Sequence, residues 1–497
     1  MKILFYSFLV ILSVSLNAQT SKRIEILNAD NSFADANKHP DYWRLIGNVS
    51  FKHNNAVMYC DSAYHYPNKD KMEAFGEITI TQGDTLMITG ENLTYFGSEN
   101  KIQIEGNVLL VDKYMSLETQ QIFYNLKSNI ATYPFAGKII DNEKTINSKK
   151  GEYHSDNHYF IFRDSVSVIA KDYNIITDNM HYNSNSEITY FFGPSHIISE
   201  NKTIYCENGW YNTKTNISQF SKNAYISTKE HLLKGDSLYY NKSLGYANAV
   251  KNVEVIDTAE NVAVFGDFAE YFEKKELIEI TDTPLLQILF KEDTLFMNAE
   301  KFVSYQKVGA KRILAYNKVK FFREDLQGKC DSLSYSFSDS ILEMFNHPII
   351  WSDGFQITAD SLQLLINKGN IKVMLLRSSP MVISQEDSLD YNQIKGRHMT
   401  AYFIDNRINS MDVEGNGQSI FIVADDRTND KIGLNYTECS NLTLYFKENK
   451  LDMVNYEVRP NSITIPYQDL EEKNRFLEGF KWRGVEQPKR KEDIFIE

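Results

Sequence analysis

The sequence has few residues that break strands or cross-link a chain. Its 497 residues include only 10 prolines and 4 cysteines, against 30 tyrosines and 30 phenylalanines. Aromatic side chains suit the half-buried surface of a sheet, so this composition favours strands. Positive charge is also short: Lys and Arg number 53, Asp and Glu 66, and the formal net charge is −13. Such an acidic surface argues against nucleic acid and against binding to anionic membrane faces by bulk charge.

Long apolar runs are missing after the first residues. Met1 and Lys2 precede an apolar stretch over residues 3–16, and the small Ala18 follows it. This order predicts a secretory signal peptide over residues 1–18. No later segment approaches the ~20 apolar residues that a membrane-spanning helix needs. We therefore expect an exported, soluble mature protein.

A motif of a small residue, an acid, any residue, an apolar residue, any residue and tyrosine recurs along the chain. Copies include residues 90–95 (GENLTY), 235–240 (GDSLYY) and 330–335 (CDSLSY). Successive acidic or equivalent positions are 29 to 33 residues apart, at 61, 91, 120, 149, 178, 207, 236, 267, 300, 331 and 360. A fixed period in this range is typical of a stacked-repeat architecture.

A second column runs in step with the first. It includes residues 47–51 (GNVSF), 76–80 (GEITI), 106–110 (GNVLL) and 251–255 (KNVEV). The apolar residues lie two apart and so share one face of a strand. We interpret the pair of turn-forming residues ahead of them as the point where the chain reverses. The sequence thus predicts an all-β protein built from repeats of about 29–31 residues.

The apolar residues of the second column form a ladder along the array, and they are the candidate binding residues. A ladder of this kind either fills a dry core or lines a long apolar groove for acyl chains, and the composition does not separate the two. The candidates are Val49, Phe51, Ile78, Ile80, Val108, Leu110, Val166, Val168, Ile226, Val253, Val255, Val319 and Phe321.

All four cysteines occupy the small position just before the acid, namely Cys60, Cys206, Cys330 and Cys439. Even the nearest two are three repeats apart, at least about 14 Å at one strand spacing per repeat. A disulfide spans no more than about 7 Å between Cα atoms. We therefore expect free structural thiols, with neither a disulfide nor a metal site.

Nothing in the motifs indicates a catalytic site, a metal or a cofactor. Each repeat offers one acid, whereas a calcium site needs several oxygen ligands close together. We interpret the acids as partners for backbone donors on a strand edge or bulge. The ten histidines show no metalloprotease spacing, and no G-x-S-x-G or phosphate-binding loop is present. We therefore do not expect an enzyme.

The repeated unit resembles the OstA-like, LptA-type family of periplasmic lipopolysaccharide-transport proteins. The resemblance is carried by residues 47–64, 76–95 and 106–124, and the segment 476–484 (FLEGFKWRG) looks like the ending of long Bacteroidetes-type members. It implies an elongated antiparallel β-jellyroll in the periplasm whose apolar interior holds lipopolysaccharide acyl chains. It further implies edge-strand pairing with transport components at the inner and outer membranes, and head-to-tail self-association.

The expected organisation is a signal peptide (1–18), repeats (19–290), more irregular repeats (291–467) and a helix with a charged tail (468–497). Two rival functions stay open at this point. One is a structural or adhesive β-solenoid with a dry core. The other is a carbohydrate-active β-helix enzyme, which would need a cluster of carboxylates outside the repeat pattern, and none is found.

Overall fold

The computed structural model describes residues 24–35, 37–83, 86–141, 144–290, 293–367, 369–425, 427–428, 430–447 and 450–495. The expected signal peptide lies outside these residues. Within them the structure consists of antiparallel strands and short 3₁₀ turns, with no α-helix. The all-β, antiparallel prediction is confirmed.

The structure separates into two units, divided between Thr189 and Tyr190. The expected boundary at residue 290 separates regular from more irregular repeats, so it is a different kind of boundary and stays a prediction. The first unit contains β1 (Glu25–Asn28), β2 (Asn31–Asp35), β3 (His39–His53), β4 (Ala56–Tyr66), β5 (Lys71–Gln82), β6 (Leu86–Phe96), β7 (Lys101–Val111), β8 (Met115–Asn125), β9 (Ile130–Tyr133), β10 (Gly137–Asp141), β11 (Lys144–Ser148), β12 (Lys150–His154), β13 (Tyr159–Ile169) and β14 (Asn174–Asn183).

The second unit begins inside β15 (Ile188–Ile198). It continues with β16 (Thr203–Asn212), β17 (Ile217–Ser227), β18 (His231–Asn241), β19 (Tyr246–Asp257), β20 (Val262–Phe272), β21 (Leu277–Thr281), β22 (Leu285–Leu289), β23 (Thr294–Asn298), β24 (Lys301–Tyr305), β25 (Arg312–Arg323), β26 (Leu326–Ser336), β27 (Ile341–Phe345), β28 (Ile349–Ser352), β29 (Phe355–Thr358), β30 (Ser361–Asn367), β31 (Asn370–Arg377), β32 (Met381–Gln385), β33 (Tyr391–Lys395), β34 (His398–Ile404), β35 (Arg407–Ala424), β36 (Lys431–Lys447), β37 (Lys450–Glu457) and β38 (Asn461–Pro466).

The pair of turn-forming residues in each repeat bends a strand and does not reverse the chain. In β5, Gly76 and Glu77 have φ angles of 74° and 40°, and pairing with β6 skips from Phe75 to Ile78. The interpretation of this pair as a chain reversal is wrong. The signal was real, since Gly and Asn accept left-handed backbone angles, but those angles also form bulges inside strands.

The two columns of the repeat meet at this corner. The Glu91 carboxylate accepts a 2.6 Å hydrogen bond from Asn107 Nδ2, and Glu207 accepts one of 2.8 Å from Asn223 Nδ2. Asp331 accepts one of 3.0 Å from Asn346 Nδ2. The acids are structural: in these three repeats they bond side-chain amides, whereas Asp267 accepts the backbone bond that we expected, from the N–H of Asn252 at 3.3 Å.

Each bent strand contributes one half to each of two arms. In the first unit, arm A contains halves such as residues 71–75 and 92–96, and arm B halves such as 78–82 and 86–90. Apolar residues of both arms point into a shared interior, among them Ala74 and Ile104 of arm A and Ile80 and Ile88 of arm B, all at most 1% exposed. Two antiparallel faces around one apolar interior form the predicted β-jellyroll.

The small position of the motif lies at the inner side of the corner. A Cβ atom at Gly90 would be 2.4 Å from Cγ2 of Ile104, which fills this space. The four cysteines are all buried there as free thiols. Burial raises the pKa of Cys60, Cys206 and Cys330 to about 12, so these thiols stay protonated.

Proline interrupts the bent strands in the second unit. Pro284, Pro348 and Pro380 each follow a corner pair, and there one long strand becomes two, as with β21 and β22. Proline lacks the N–H that strand pairing needs, which is why it is tolerated at a bulge.

The helix expected within residues 468–497 is not found in the described part of this segment, and that prediction is wrong. The segment contains the 3₁₀ turns Tyr467–Asp469, Glu472–Asn474, Gly484–Glu486 and Lys491–Phe495. Its apolar side chains have helix-like spacing, but they pack onto the sheet, and side chains of the sheet bond its backbone groups. Gly479 has a φ of 87°, which no α-helix contains.

Candidate apolar ligand site

In the first unit the candidate ladder lies in a sealed interior. Phe51, Ile80, Leu110 and Val168 belong to one row of cross-strand partners on arm B, and each is at most 3% exposed. Val49, Ile78, Val108 and Val166, next to the corner, are at most 2% exposed. The structure therefore brings these eight predicted residues together as a packed core.

Tyrosines of arm A close the mouth between the free ends of the two arms in this unit. The Tyr124 hydroxyl donates a 2.7 Å hydrogen bond to Gln82 on the opposite arm, and the Tyr153 hydroxyl donates one to Asp112. His53 Nε2 and Asn100 Oδ1 are 3.1 Å apart in another such contact. Burial first, and then the bond to Asp112, raises the pKa of Tyr153. The mouth of the first unit is thus held shut by partly buried hydrogen bonds between the two arms.

The mouth is different in the second unit between residues 199 and 276. Tyr211 and Tyr240 follow the same arm A motif, but both are partly exposed. Their hydroxyls bond within their own arm, to Asn216 at 3.3 Å and to Glu273 at 3.5 Å. Two pairs of turns are relevant here, 199–202 with 242–245 and 228–230 with 273–276. Among the described residues, no hydrogen bond or ion pair joins the two turns of either pair.

The interior row beneath this open mouth is partly exposed. Ile204, Ile226, Leu233, Val255 and Val264 are successive cross-strand partners on arm B. The first four are partly exposed, and Val264 is 5% exposed. The predicted residues Ile226 and Val255 therefore line an accessible apolar surface, unlike their counterparts in the first unit.

An apolar cavity continues from this row between the two arms. Val255 and Val264 of arm B and Ile278, Ile280 and Ile313 of arm A line a narrow gap of about 30 Å³. Asp257 and Lys311 line it too, together with Ser304 and Gln306. Its aliphatic walls suit contact with an apolar chain, but the two arms have to move apart to admit one.

Lys311 closes the mouth at the far end of this opening. Its ammonium group pairs with Asp257 and lies 3.6 Å from Glu260, so it joins arm A to arm B. Beyond it the interior is again packed, because Val319 and Phe321 are 0% exposed and Gly328 lies directly under the Phe321 ring. Val253, beside the corner of β19, is 2% exposed and does not reach the opening.

The rim of the opening is close to neutral, although the whole chain has a net charge of −13. The turns 199–202, 213–216, 228–231, 242–245, 257–261 and 273–276 carry six lysines and six acidic residues. The lysines are Lys202, Lys214, Lys229, Lys242, Lys274 and Lys275, and all are exposed. An anionic group beside the apolar opening would therefore meet less repulsion here than the net charge of the chain implies.

The sequence interpretation missed the contribution of arm A. Leu93, Ile122 and Leu238 follow the acid by two positions and are at most 3% exposed. Their signal was present in the motif itself, as the apolar and tyrosine positions after each acid. Those positions are two apart and therefore share a face.

No group of three His, Cys, Asp or Glu side chains in the described part of the chain is placed to hold a metal ion. In the same residues, no helix has the length and apolar character needed to cross a bilayer.

Comparisons with known proteins give one family and two distant structures. The sequence model described as OstA-like protein matches residues 21–178 and 174–236. LptH of Pseudomonas aeruginosa, described as the LptA-homologous periplasmic component of a lipopolysaccharide transport device, has 13% identity and a TM-score of 0.21, covering 23% of this chain and 81% of its own. The WD40 domain of SCAP from fission yeast has 10% identity and a TM-score of 0.12, covering 62% and 85%. Neither score carries an argument about this chain. No curated protein matches it.

Proposed function

The chain belongs to the OstA-like family through residues 21–236, and from this premise we propose that it is a periplasmic protein that binds lipopolysaccharide and helps to carry it towards the outer membrane. The acyl chains would enter the opening of the second unit and lie against Ile204, Ile226, Leu233 and Val255. The observation that supports this proposal most directly is that this interior row is partly exposed, while the equivalent row of the first unit is sealed.

Burial of acyl chains supplies the binding energy in this proposal. Each methylene removed from water contributes about 0.8 kcal/mol. The exposed lysines on the rim can pair with the anionic groups of an amphiphile, which stay outside while its chains enter. The described interior residues include no group that would drive movement, so transport along the protein needs an energy source elsewhere in the pathway.

The sealed interior of the first unit suits a structural role. Its sheet has β1 and β2 at one edge, both pairing with β3 alone. Edge strands offer unpaired backbone groups that another sheet can bond. We propose that this edge pairs with other transport components or with a second copy, head to tail.

Site-specific photo-crosslinking in cells tests the lipid site. A crosslinking amino acid replaces Ile226 or Val255, which point into the opening. The controls are Tyr225 and Glu254, the preceding residues on the opposite face of the same strands. We expect lipopolysaccharide adducts at Ile226 and Val255 and none at the controls.

The absence of adducts at both inward positions, in a folded and exported protein, would contradict the lipid site. It would favour the structural β-solenoid with a dry core instead. Equal adducts at all four positions would indicate contact with the outer surface and would also contradict the proposed site.

A further inference from the structure

A single row of outward-facing side chains crosses the sheet of the second unit on the side away from its interior. Its members are successive cross-strand partners on neighbouring strands, Phe296, Phe322, Gln327, Trp351, Gln356, Ile383, Gln393 and Ile420. We call this set the outer row. Glutamine alternates with an apolar residue from Gln327 to Ile420, so hydrogen-bonding groups recur on every second strand.

Two of these glutamines bond the backbone of residues 467–495, which we call the strap. Gln393 donates from Nε2 to the carbonyl of Arg475 at 2.7 Å and accepts from the N–H of Leu477 at 2.8 Å. Gln356 does the same with the carbonyl of Lys481 at 2.8 Å and the N–H of Arg483 at 2.6 Å. Both glutamines are 0% exposed. Each side chain therefore bonds residues i and i+2 of the strap, as the backbone of a neighbouring strand would.

The contacts follow a regular spacing. Gln393, Gln356 and Gln327 meet the strap at Arg475, Lys481 and Gln487, which are six residues apart. Gln327 accepts a 2.8 Å hydrogen bond from the side chain of Gln487. The strap thus advances six residues for every two strands, along the whole outer row.

Apolar contacts and ion pairs complete the attachment. Leu477 is 5% exposed and packs in one cluster with Ile383 and Ile420, and the rings of Phe480 and Trp482 lie 5.1 and 5.4 Å from that of Tyr391. At one end, the Asp390 side chain is 1% exposed and accepts bonds from Tyr467 and Arg475. At the other, Glu486 pairs with Arg483 at 2.6 Å and Lys329 at 2.8 Å.

We propose that the outer row is a peptide-binding track, occupied in cis by the strap, and that the strap of a second copy can occupy it in trans. The recognition uses strap backbone atoms at Gln356 and Gln393, together with pockets for Leu477, Phe480 and Trp482, and none of these contacts depends on chain connectivity. The only sequence that the structure shows to fit the track is this segment. A second copy carries the same segment, so it is the occupant that the track is built to accept.

This self-association differs from edge-strand pairing, since it uses a sheet face and side-chain amides. It is also independent of the lipid site, because the outer row faces away from the interior. Failure of one proposal therefore leaves the other standing.

The first test loosens the strap in the full-length chain and supplies a replacement. Leu477→Asp with Phe480→Ala disfavours docking of the chain's own strap and leaves the track unchanged. A fluorescent peptide of residues 467–495 is then added, and its anisotropy is measured. We expect the peptide to bind this variant at least about tenfold more tightly than it binds the wild-type chain, whose track is occupied.

Adding Gln356→Ala and Gln393→Ala to the loosened variant should weaken peptide binding by about tenfold or more, because four hydrogen bonds are lost. The matched control is Gln287→Ala, since Gln287 lies in the same row beyond Phe296 but makes no bond to the strap. Equal binding by the wild type and the loosened variant would overturn the proposal, as would loss of binding in the Gln287 control.

A second test needs no loosened strap and settles exchange between copies. Lys395 Nζ donates a 2.8 Å hydrogen bond to the carbonyl of Glu478. Chains with Lys395→Cys are mixed with chains with Glu478→Cys and treated with a bis-maleimide cross-linker about as long as the lysine side chain that joins the two positions, because a disulfide spans less. The four native thiols stay buried. A covalent heterodimer is expected. If the double variant is cross-linked internally but the mixed single variants form no heterodimer, the strap does not exchange between copies and the proposal fails.

Discussion

At the residue scale, the corner of each repeat selects side chains by backbone angle and by space. Gly106 has a φ of 83°, and a Cβ there would be 2.5 Å from Oε2 of Glu91, the acid that bonds Asn107. Any side chain at this position would meet both an unfavourable backbone angle and a fixed carboxylate. Glycine at position 106 meets both demands, whereas Lys251 and Asn317 occupy the same corner position of later repeats with φ angles of 58° and 61°.

Replacing Gly106 with alanine should therefore lower the free energy of unfolding by about 2–3 kcal/mol, from left-handed strain and the displaced Glu91. Chemical denaturation of the first unit measures it. Gly83→Ala is the matched control, because Gly83 has a φ of 62° but nothing within 4 Å of its Cβ position. We expect about 1 kcal/mol there, from strain alone. Equal losses at both sites would show that contact with Glu91 does not matter.

At the element scale, the tyrosine position of the motif either closes the mouth or leaves it open, depending on the residue that the opposite arm offers. Tyr153 is 1% exposed and donates to Asp112 on the opposite arm, whereas Tyr240 is partly exposed and reaches only Glu273 of its own arm. The repeat pattern is the same in both. Closure depends on the residue that the opposite turn offers.

Tyr153→Phe should lower the free energy of unfolding by about 1–3 kcal/mol, because it removes a partly buried hydrogen bond to a carboxylate on the opposite arm. Tyr240→Phe should change it by less than about 0.5 kcal/mol, as expected for a partly exposed contact. Thermal or chemical unfolding of the two variants measures the difference. A larger loss for Tyr240→Phe would contradict the assignment of a closed and an open mouth.

The strap should loosen in acid. The hydrogen bonds from Arg483, which outweigh the opposing effect of burial, and the pairing with Lys329 lower the pKa of Glu486 to about 2. A carboxyl with a depressed pKa stabilises the folded state above its unfolded pKa, about 4.3, and loses that contribution as the pH falls towards 2. Hydrogen exchange at residues 483–487 should therefore accelerate between these pH values. In Glu486→Gln this part of the pH dependence should disappear, and an unchanged profile would assign it to another group.

At the scale of the whole molecule, the sequence predicted the fold through the repeats but not what the repeats enclose. The period and the two columns identify an antiparallel β-jellyroll, because apolar residues such as Ile78 and Ile80 share one face wherever strands repeat. The corner was misread because Gly76 and Glu77 have the same signature in a bulge as in a turn. Whether Val255 or Ile80 is accessible depends on contacts between residues about 40 positions apart, such as Tyr124 with Gln82. A local pattern does not contain that information.

The strap shows a second limit of prediction from a local sequence pattern. Leu470, Leu477 and Phe480 have a spacing that a helix also has, while the glutamines that hold the strap lie 82 to 160 residues away. Nothing near Gln356 or Gln393 in the sequence marks them as partners of a distant backbone. They become visible only when the strand register places them in one row.

Local stability should differ between the sealed and open interiors, and lipid should reduce the difference. Amides of β7 and β8, beneath a closed mouth, should exchange slowly, since hydrogen bonds of Tyr124 and Tyr153 to the opposite arm hold the mouth shut. Amides of β17–β19, beneath the open mouth, should exchange faster. Added lipopolysaccharide should slow exchange in β17–β19 and leave β7 and β8 unchanged, because a ligand stabilises the state that it binds. Delipidated lipopolysaccharide is the control. Protection by the sugar alone, or protection of both regions alike, would mean that acyl chains do not enter the second unit through this opening.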